Sequence, residues 1–134
     1  MTTAIDSNIL IDLIGASTSF THDSVAALDE ARLRGALTIC PVVAAEISAY
    51  FPTVQTLQRT LLKMQIVWVD FTLEDVHLAG LTFVQYRKRS SKPKDRMLAD
   101  FLVGAQALHH ANALLTRDRG YYRTFFPKLS IIEP

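Results

Sequence analysis

The chain has 134 residues, 49% hydrophobic and 20% charged, with a formal net charge of +1. That balance excludes a disordered segment, and no apolar run approaches the ~18 residues that a membrane span needs. A single cysteine, Cys40, excludes an internal disulfide and a multi-cysteine zinc site.

The elements alternate along the chain. Thr3–Asp6 is predicted as a short first strand, and Asn8–Ile14 as a helix stopped by Gly15. Thr21 is expected to cap a helix over His22–Arg34, which Gly35 ends. Leu37–Cys40 is a second strand. Pro41 suits a first helical position, so Pro41–Phe51 reads as helix. Pro52 interrupts, and a helix over Thr53–Gln65 carries Val54, Leu57, Leu61 and Met64 at helical spacing. This stripe either packs within the chain or docks a partner. Ile66–Val69 is a third strand. Thr72 to Asp75 resembles a capping box, opening a helix with Val76, Ala79, Phe83 and Val84 on one side. Arg87–Arg96 is read as a basic loop. Met97–His109 is a helix apolar nearly all round, hence buried. Ala113–Thr116, a short helix over Asp118–Phe126 and a strand over Leu129–Ile132 complete the chain. Alternation of this kind favours an α/β fold with a parallel sheet, one domain over residues 1–134.

Four acids stand in apolar surroundings. Asp6 ends the first strand, Glu46 shares a stripe with Val43, Ile47 and Tyr50, Asp100 lies in the buried helix, and Asp118 follows the fourth strand. Each has a plain alternative: a helix cap for Asp6, Asp100 and Asp118, a solvated boundary carboxylate for Glu46. Together they suggest more. Carboxylates that converge repel by roughly 3 to 4 kcal/mol per pair at ~5 Å and an effective dielectric near 20. A divalent cation with hard oxygen ligands relieves that repulsion, activates water and neutralises phosphodiester charge. Asn8 and Thr116 are candidate supporting groups, each with a turn or packing role as the alternative.

These motifs resemble a known family. Asp6-Ser7-Asn8-Ile9-Leu10, Glu46 in the helix opened by Pro41, Asp100-Phe101-Leu102-Val103-Gly104-Ala105 and Leu115-Thr116-Arg117-Asp118-Arg119-Gly120-Tyr121-Tyr122 are similar to those of PIN-domain ribonucleases, in particular the VapC-type toxins of toxin–antitoxin pairs. The resemblance implies a three-layer α/β/α sandwich with a small parallel sheet of four to five strands. It implies an Mg2+- or Mn2+-dependent endoribonuclease holding one or two ions. Asp6, Glu46, Asp100 and Asp118 then take the catalytic and metal positions, with Asn8 and Thr116 beside them. Some members carry a further acid soon after the last Asp; here that stretch is Arg119-Gly120-Tyr121. The implied partners are an RNA substrate, a cognate antitoxin and a second copy of the chain.

Charge supports an RNA partner. Residues 1–86 hold 4 Lys/Arg against 9 Asp/Glu, whereas residues 87–134 hold 10 against 4. Arg87, Lys88, Arg89, Lys92, Lys94 and Arg96 are candidate phosphate contacts, with a solvated helix end as the alternative. Arg117 and Arg119 are candidate phosphate clamps. Tyr86, Tyr121 and Tyr122 either stack on bases or pack in the core. His109-His110 is read as a helix end, and Cys40 as a buried apolar residue. With no signal-peptide core at the N-terminus, a cytoplasmic location is expected. Three rival classes remain: an acidic-site nuclease of RNA processing or DNA, a non-catalytic interaction module, and a phosphotransfer domain. The last needs an Asp-x-Asp or Asp–Lys pairing that Asp6-Ser7-Asn8 lacks.

Overall fold

The computed structural model describes residues 1–89 and 97–134, with the backbone alone at Arg119. Its elements are β1 (Thr2–Ile5), α1 (Ser7–Ile14), α2 (Thr21–Arg34), β2 (Ala36–Ile39), α3 (Pro41–Ile47), a 3-10 turn over Ser48–Tyr50, α4 (Val54–Lys63), β3 (Ile66–Trp68), α5 (Leu73–Arg89), α6 (Leu98–His110), β4 (Ala113–Leu115), α7 (Arg119–Phe125) and β5 (Ile131–Ile132). The five strands form one sheet in the order β3-β2-β1-β4-β5, and every pairing is parallel. Helices flank this sheet, giving the expected α/β/α arrangement. Among the described residues no helix is long and apolar enough to cross a membrane.

The strand order decides where chemistry can sit. From β1 the chain winds outward to β2 and β3, then returns to place β4 on the other side of β1. Register aligns Thr3 with both Leu37 and Ala113, and Ile5 with Leu115. The order therefore reverses between β1 and β4. In parallel sheets the loops leaving the carboxyl ends of two such strands part in opposite directions, which is where a ligand crevice is expected. Below it, Ile5, Ile39, Leu114 and Leu115 are fully buried in the sheet, and Ile9, Val43 and Phe101 cover it from the helices.

Several boundaries differ from expectation. Strands one to four each end a residue earlier than expected, and Asp6 and Cys40 take N-cap positions after the first two. The helix predicted to reach Phe51 ends at Ile47: the Ser48 hydroxyl bonds back to the Ala44 carbonyl at 2.7 Å, and Pro52 keeps Phe51 extended. Thr21 does not cap α2. Its hydroxyl accepts the Thr18 N–H and donates to the Asp12 carbonyl. Arg87, Lys88 and Arg89 form the last turn of α5, not a loop. No Gly or Pro interrupts residues 81–89, and terminal cations complement the helix dipole. Lys92, Lys94 and Arg96 lie outside the described residues. Leu57, Leu61 and Met64 pack against the core as the intramolecular alternative required, whereas Val54 is exposed.

Helix α6 is set against the C-terminal elements through Gly104. A Cβ added there would stand 2.3 Å from the Phe126 ring, which is itself buried. Gly104→Ala improves helix propensity by about 1 kcal/mol yet forces two packed elements apart at a cost of about 1–3 kcal/mol. The variant is expected to melt at or below the wild-type temperature; a clear rise in melting temperature by calorimetry would show that α6 and Phe126 have room to spare.

Candidate active site

Asp6 leaves β1 at the mouth of the crevice and is only 7% exposed. Its Oδ1 accepts the Ser7 N–H at 2.8 Å. Its Oδ2 accepts the Thr116 hydroxyl at 2.8 Å, the Tyr122 hydroxyl at 3.3 Å and the Asn8 amide at 3.5 Å. The Thr116 oxygen also accepts the Asn8 amide at 3.2 Å and the Asp118 N–H at 3.0 Å. The Asn8 carbonyl in turn accepts the Arg117 N–H at 3.3 Å. One threonine hydroxyl thus joins β1, α1 and the turn after β4, and it fixes the backbone at Asp118.

Asp100 stands in the first turn of α6, where its Oδ2 accepts the Met97 N–H at 3.1 Å. The helix-cap reading therefore describes part of its role. Burial raises the Asp6 carboxyl above the ordinary aspartate value, against the hydrogen bonds from Thr116, Ser7 and Tyr122, and the charge of Asp100 raises it further. Much of the Glu46 side chain on α3 is exposed, but its carboxyl end feels the crevice. Partial burial raises its pKa, a hydrogen bond from Ser7 opposes this, and the charges of Asp6 and Asp100 add to the rise. These three carboxylates, from β1, α3 and α6, act on one another. Asp118 occupies the N-cap of α7 without a side-chain cap bond and joins the network through its backbone.

Tyr122 is the participant that sequence reasoning missed. Its ring is buried and its phenol pKa is pushed well above the usual value, first by burial and then by the charge of Asp6. The hydroxyl therefore keeps its proton and donates. The base-stacking reading of the tyrosines gives way to packing. Tyr121 and Tyr122 are buried edge to face at 4.6 Å, and Tyr86 belongs to an aromatic cluster with Phe83, Phe101 and Phe125. Cys40 is buried, as expected.

Arg117, expected at phosphate, is occupied elsewhere. Its Nε and Nη2 donate to Asp12 Oδ2 and Oδ1 at 3.0 and 2.9 Å, and its guanidinium carbon lies 4.1 Å from the Phe20 ring centre. The Ser24 hydroxyl completes the cluster at 2.6 Å from Asp12. Asp12 lies in the apolar run from Ile9 to Ile14, the same signal that marks Asp100. The Arg119 side chain lies outside the described residues. Arg87, Lys88 and Arg89 are exposed, with Arg87 over Phe83 and Arg89 over Phe125.

His109 and His110 do more than end a helix. Their ring nitrogens meet Asp75 Oδ1 and Oδ2 at 2.6 and 2.7 Å, tying the end of α6 to the start of α5. Asp75 is fully buried and also accepts the Thr72 N–H of the expected capping box at 2.9 Å. Burial works against its charge, but Thr72, His109 and His110 outweigh it and hold the carboxyl below the ordinary value. The antiparallel α5–α6 pair consequently brings Arg87–Arg89 to the same end as Asp100.

Comparison with known proteins follows this geometry. The family model described as PIN domain matches residues 3–126. No curated protein matches the sequence. Among solved structures, the chain is similar to VapBC2 from Rickettsia felis bound to a DNA fragment from their promoter, at 16% identity and a TM-score of 0.67, covering 99% of this chain and 98% of that one. It is similar to a toxin–antitoxin complex from Klebsiella pneumoniae at 19% identity and a TM-score of 0.68, covering 97% and 95%. It is also similar to FitAcB from Neisseria gonorrhoeae at 16% identity and a TM-score of 0.70, covering 97% and 96%. At these identities the likeness establishes the fold.

The Asp75 latch has a defined pH signature. Because the folded-state pKa is depressed, its stabilisation is present above the ordinary aspartate value near 3.8 and disappears as pH falls through the lower folded value. Asp75→Asn should cost about 2 kcal/mol or more at pH 7, since it removes charge-assisted hydrogen bonds from a buried site. The gap between wild type and variant should close as pH drops below about 4. Denaturant melts at pH 7 and pH 3 measure both quantities, and a gap that is constant with pH would mean that the carboxylate charge is not what stabilises.

Proposed function

The chain belongs to the PIN-domain family, and from that premise we propose that it is a metal-dependent endoribonuclease, the toxin of a toxin–antitoxin pair. The observation that carries this reading is the meeting of acids at one place: beyond the burial that chiefly raises both carboxyls, the charge of Asp100 bears on Asp6, and the charges of Asp6 and Asp100 bear on Glu46. The charges acting on both are negative, so the crevice is a place where a cation lowers free energy.

The donor set fits Mg2+ or Mn2+ in kind: oxygens only, negative overall and held at strand and helix ends. Among the described residues no three His, Cys, Asp or Glu side chains close into a ligand cluster by themselves. A small hard cation that keeps several of its waters needs only one or two carboxylates directly. Asp6, Asp100, Glu46 and Asp118 would hold one or two ions. Such an ion, when bound, supplies a water of lowered pKa and stabilises charge on the scissile phosphate. Thr116 and Asn8 keep Asp6 from turning away. Glu46, the exposed member on α3, is the group proposed to take a proton from the attacking water.

RNA would enter over the positive end of α5. Arg87, Lys88 and Arg89 lie at the same end of the helix pair as Asp100 and can meet backbone phosphates independently of sequence. The likeness to a protein solved as a toxin–antitoxin complex supports an antitoxin partner, and a homodimer is proposed from the family resemblance. The cytoplasm, where such RNA substrates are found, is the proposed location.

Purified protein with single-stranded RNA, Mg2+ or Mn2+, and a chelator control tests the reading. Asp6→Asn and Asp118→Asn should each reduce cleavage to background while the protein stays folded. A carboxyl whose folded-state pKa is raised destabilises the fold once pH exceeds its ordinary value. Metal-free Asp6→Asn should therefore melt above the wild type at pH 7, and the difference should vanish near pH 3. Cleavage that survives chelator, or that persists in both variants, removes the metal mechanism.

Binding offers a separate check. Lys88→Gln with Arg89→Gln should weaken RNA uniformly across sequences. It should also reduce the slope of log affinity against log salt by ~0.7 for each lost phosphate contact. An unchanged slope would return this helix end to a solvated role.

A further inference from the structure

The two oxygens of Asp6 are not equivalent. A carboxylate oxygen has two lone pairs to offer. Among the described residues Oδ1 accepts one hydrogen bond, from the Ser7 N–H at 2.8 Å. Oδ2 is met by three side-chain donors, Thr116 at 2.8 Å, Tyr122 at 3.3 Å and Asn8 at 3.5 Å. The Tyr122 ring cannot swing away, because it is 2% exposed and packs between Tyr121 and Phe126.

We propose that Tyr122 is a positioning residue: its hydroxyl, with that of Thr116, occupies Asp6 Oδ2 so that Asp6 offers Oδ1 alone to a divalent cation. This rests on the metal-dependent reading above and adds to it which oxygen binds and what holds the other. Hydrogen bonds from behind a ligand fix its orientation, and their removal typically weakens metal binding by 10–100-fold. The Tyr122 contact is longer than that of Thr116, which places its share near the lower end.

The test is Mn2+ binding by calorimetry to the intact protein without RNA, so that the readout is independent of cleavage. Tyr122→Phe keeps the ring and removes the hydroxyl, and about tenfold weaker Mn2+ binding is expected. Phe126→Leu disturbs packing on the same ring but leaves the hydroxyl, so it should lower the melting temperature and keep wild-type Mn2+ affinity. Equal Mn2+ affinity in wild type and Tyr122→Phe, or equal weakening in Phe126→Leu, overturns the proposal. A wild type that takes up no Mn2+ overturns the metal reading and this proposal with it, a result distinct from uptake that ignores Tyr122. A crystal structure of the wild type with Mn2+ decides the matter without a variant. Metal on Oδ1 with the Tyr122 hydroxyl on Oδ2 is expected, and metal on Oδ2 or on both oxygens overturns the assignment.

Discussion

The carboxylate of Asp6, enclosed at the end of the central strand, is the constraint around which the rest of the crevice is arranged. An enclosed carboxylate must find donors. They come from α1 through Ser7 and Asn8, from the turn after β4 through Thr116, and from α7 through Tyr122. The backbone follows the same path: the Asp6 N–H bonds to the Leu115 carbonyl at 3.0 Å, extending the ladder one residue beyond β1. Satisfying one side chain thus brings together elements more than 100 residues apart.

Among the described residues three aspartates are buried, and the partners they find differ. Asp12 is answered by a bidentate arginine and a serine. Asp75 is answered by two imidazoles and a backbone amide. Among the described residues the donors to Asp6 are neutral, and the charge of Asp100 bears on it. The first two sites are complete in themselves and bind segments of the fold to each other. The third is met by neutral donors and lies under the charge of another carboxylate, the feature on which the proposed cation site rests. Burial of an acid is therefore a poor guide to function until its counter-charges are counted.

The α5–α6 pair links these two kinds of site. The Asp75 latch at one end sets the pair antiparallel, and the cluster of Phe83, Tyr86, Phe101 and Phe125 packs its other end. Edge-to-face aromatic contacts of this kind contribute about 0.5–1.5 kcal/mol each beyond the area they bury. The result is that Asp100, in the first turn of α6, is held against the crevice while the cations of α5 extend past it. Gly104 allows α6 to approach Phe126 closely enough for this.

Much of this was legible in the sequence. Strand and helix alternation, caps at Gly35 and Thr72, and acids at the ends of β1 and β4 follow from local patterns that a 3.6- or 2-residue period imposes. Those patterns placed Asp6 and Asp118 at strand carboxyl ends, and the family motifs added Glu46 and Asp100. Local patterns could not say which charged groups meet. Asp12 and Arg117 are 105 residues apart, as Asp75 and His109 are 34, and nothing within either neighbourhood selects the other. The extent of α5 was also misread, because a run of cations looks alike in a loop and in a solvated helix end. Only the tertiary structure decided that Arg117 pairs with Asp12, that Tyr122 reaches Asp6, and that Tyr121 and Tyr122 are buried. Pairing of distant side chains depends on sheet order and helix packing, and those are properties of the whole chain.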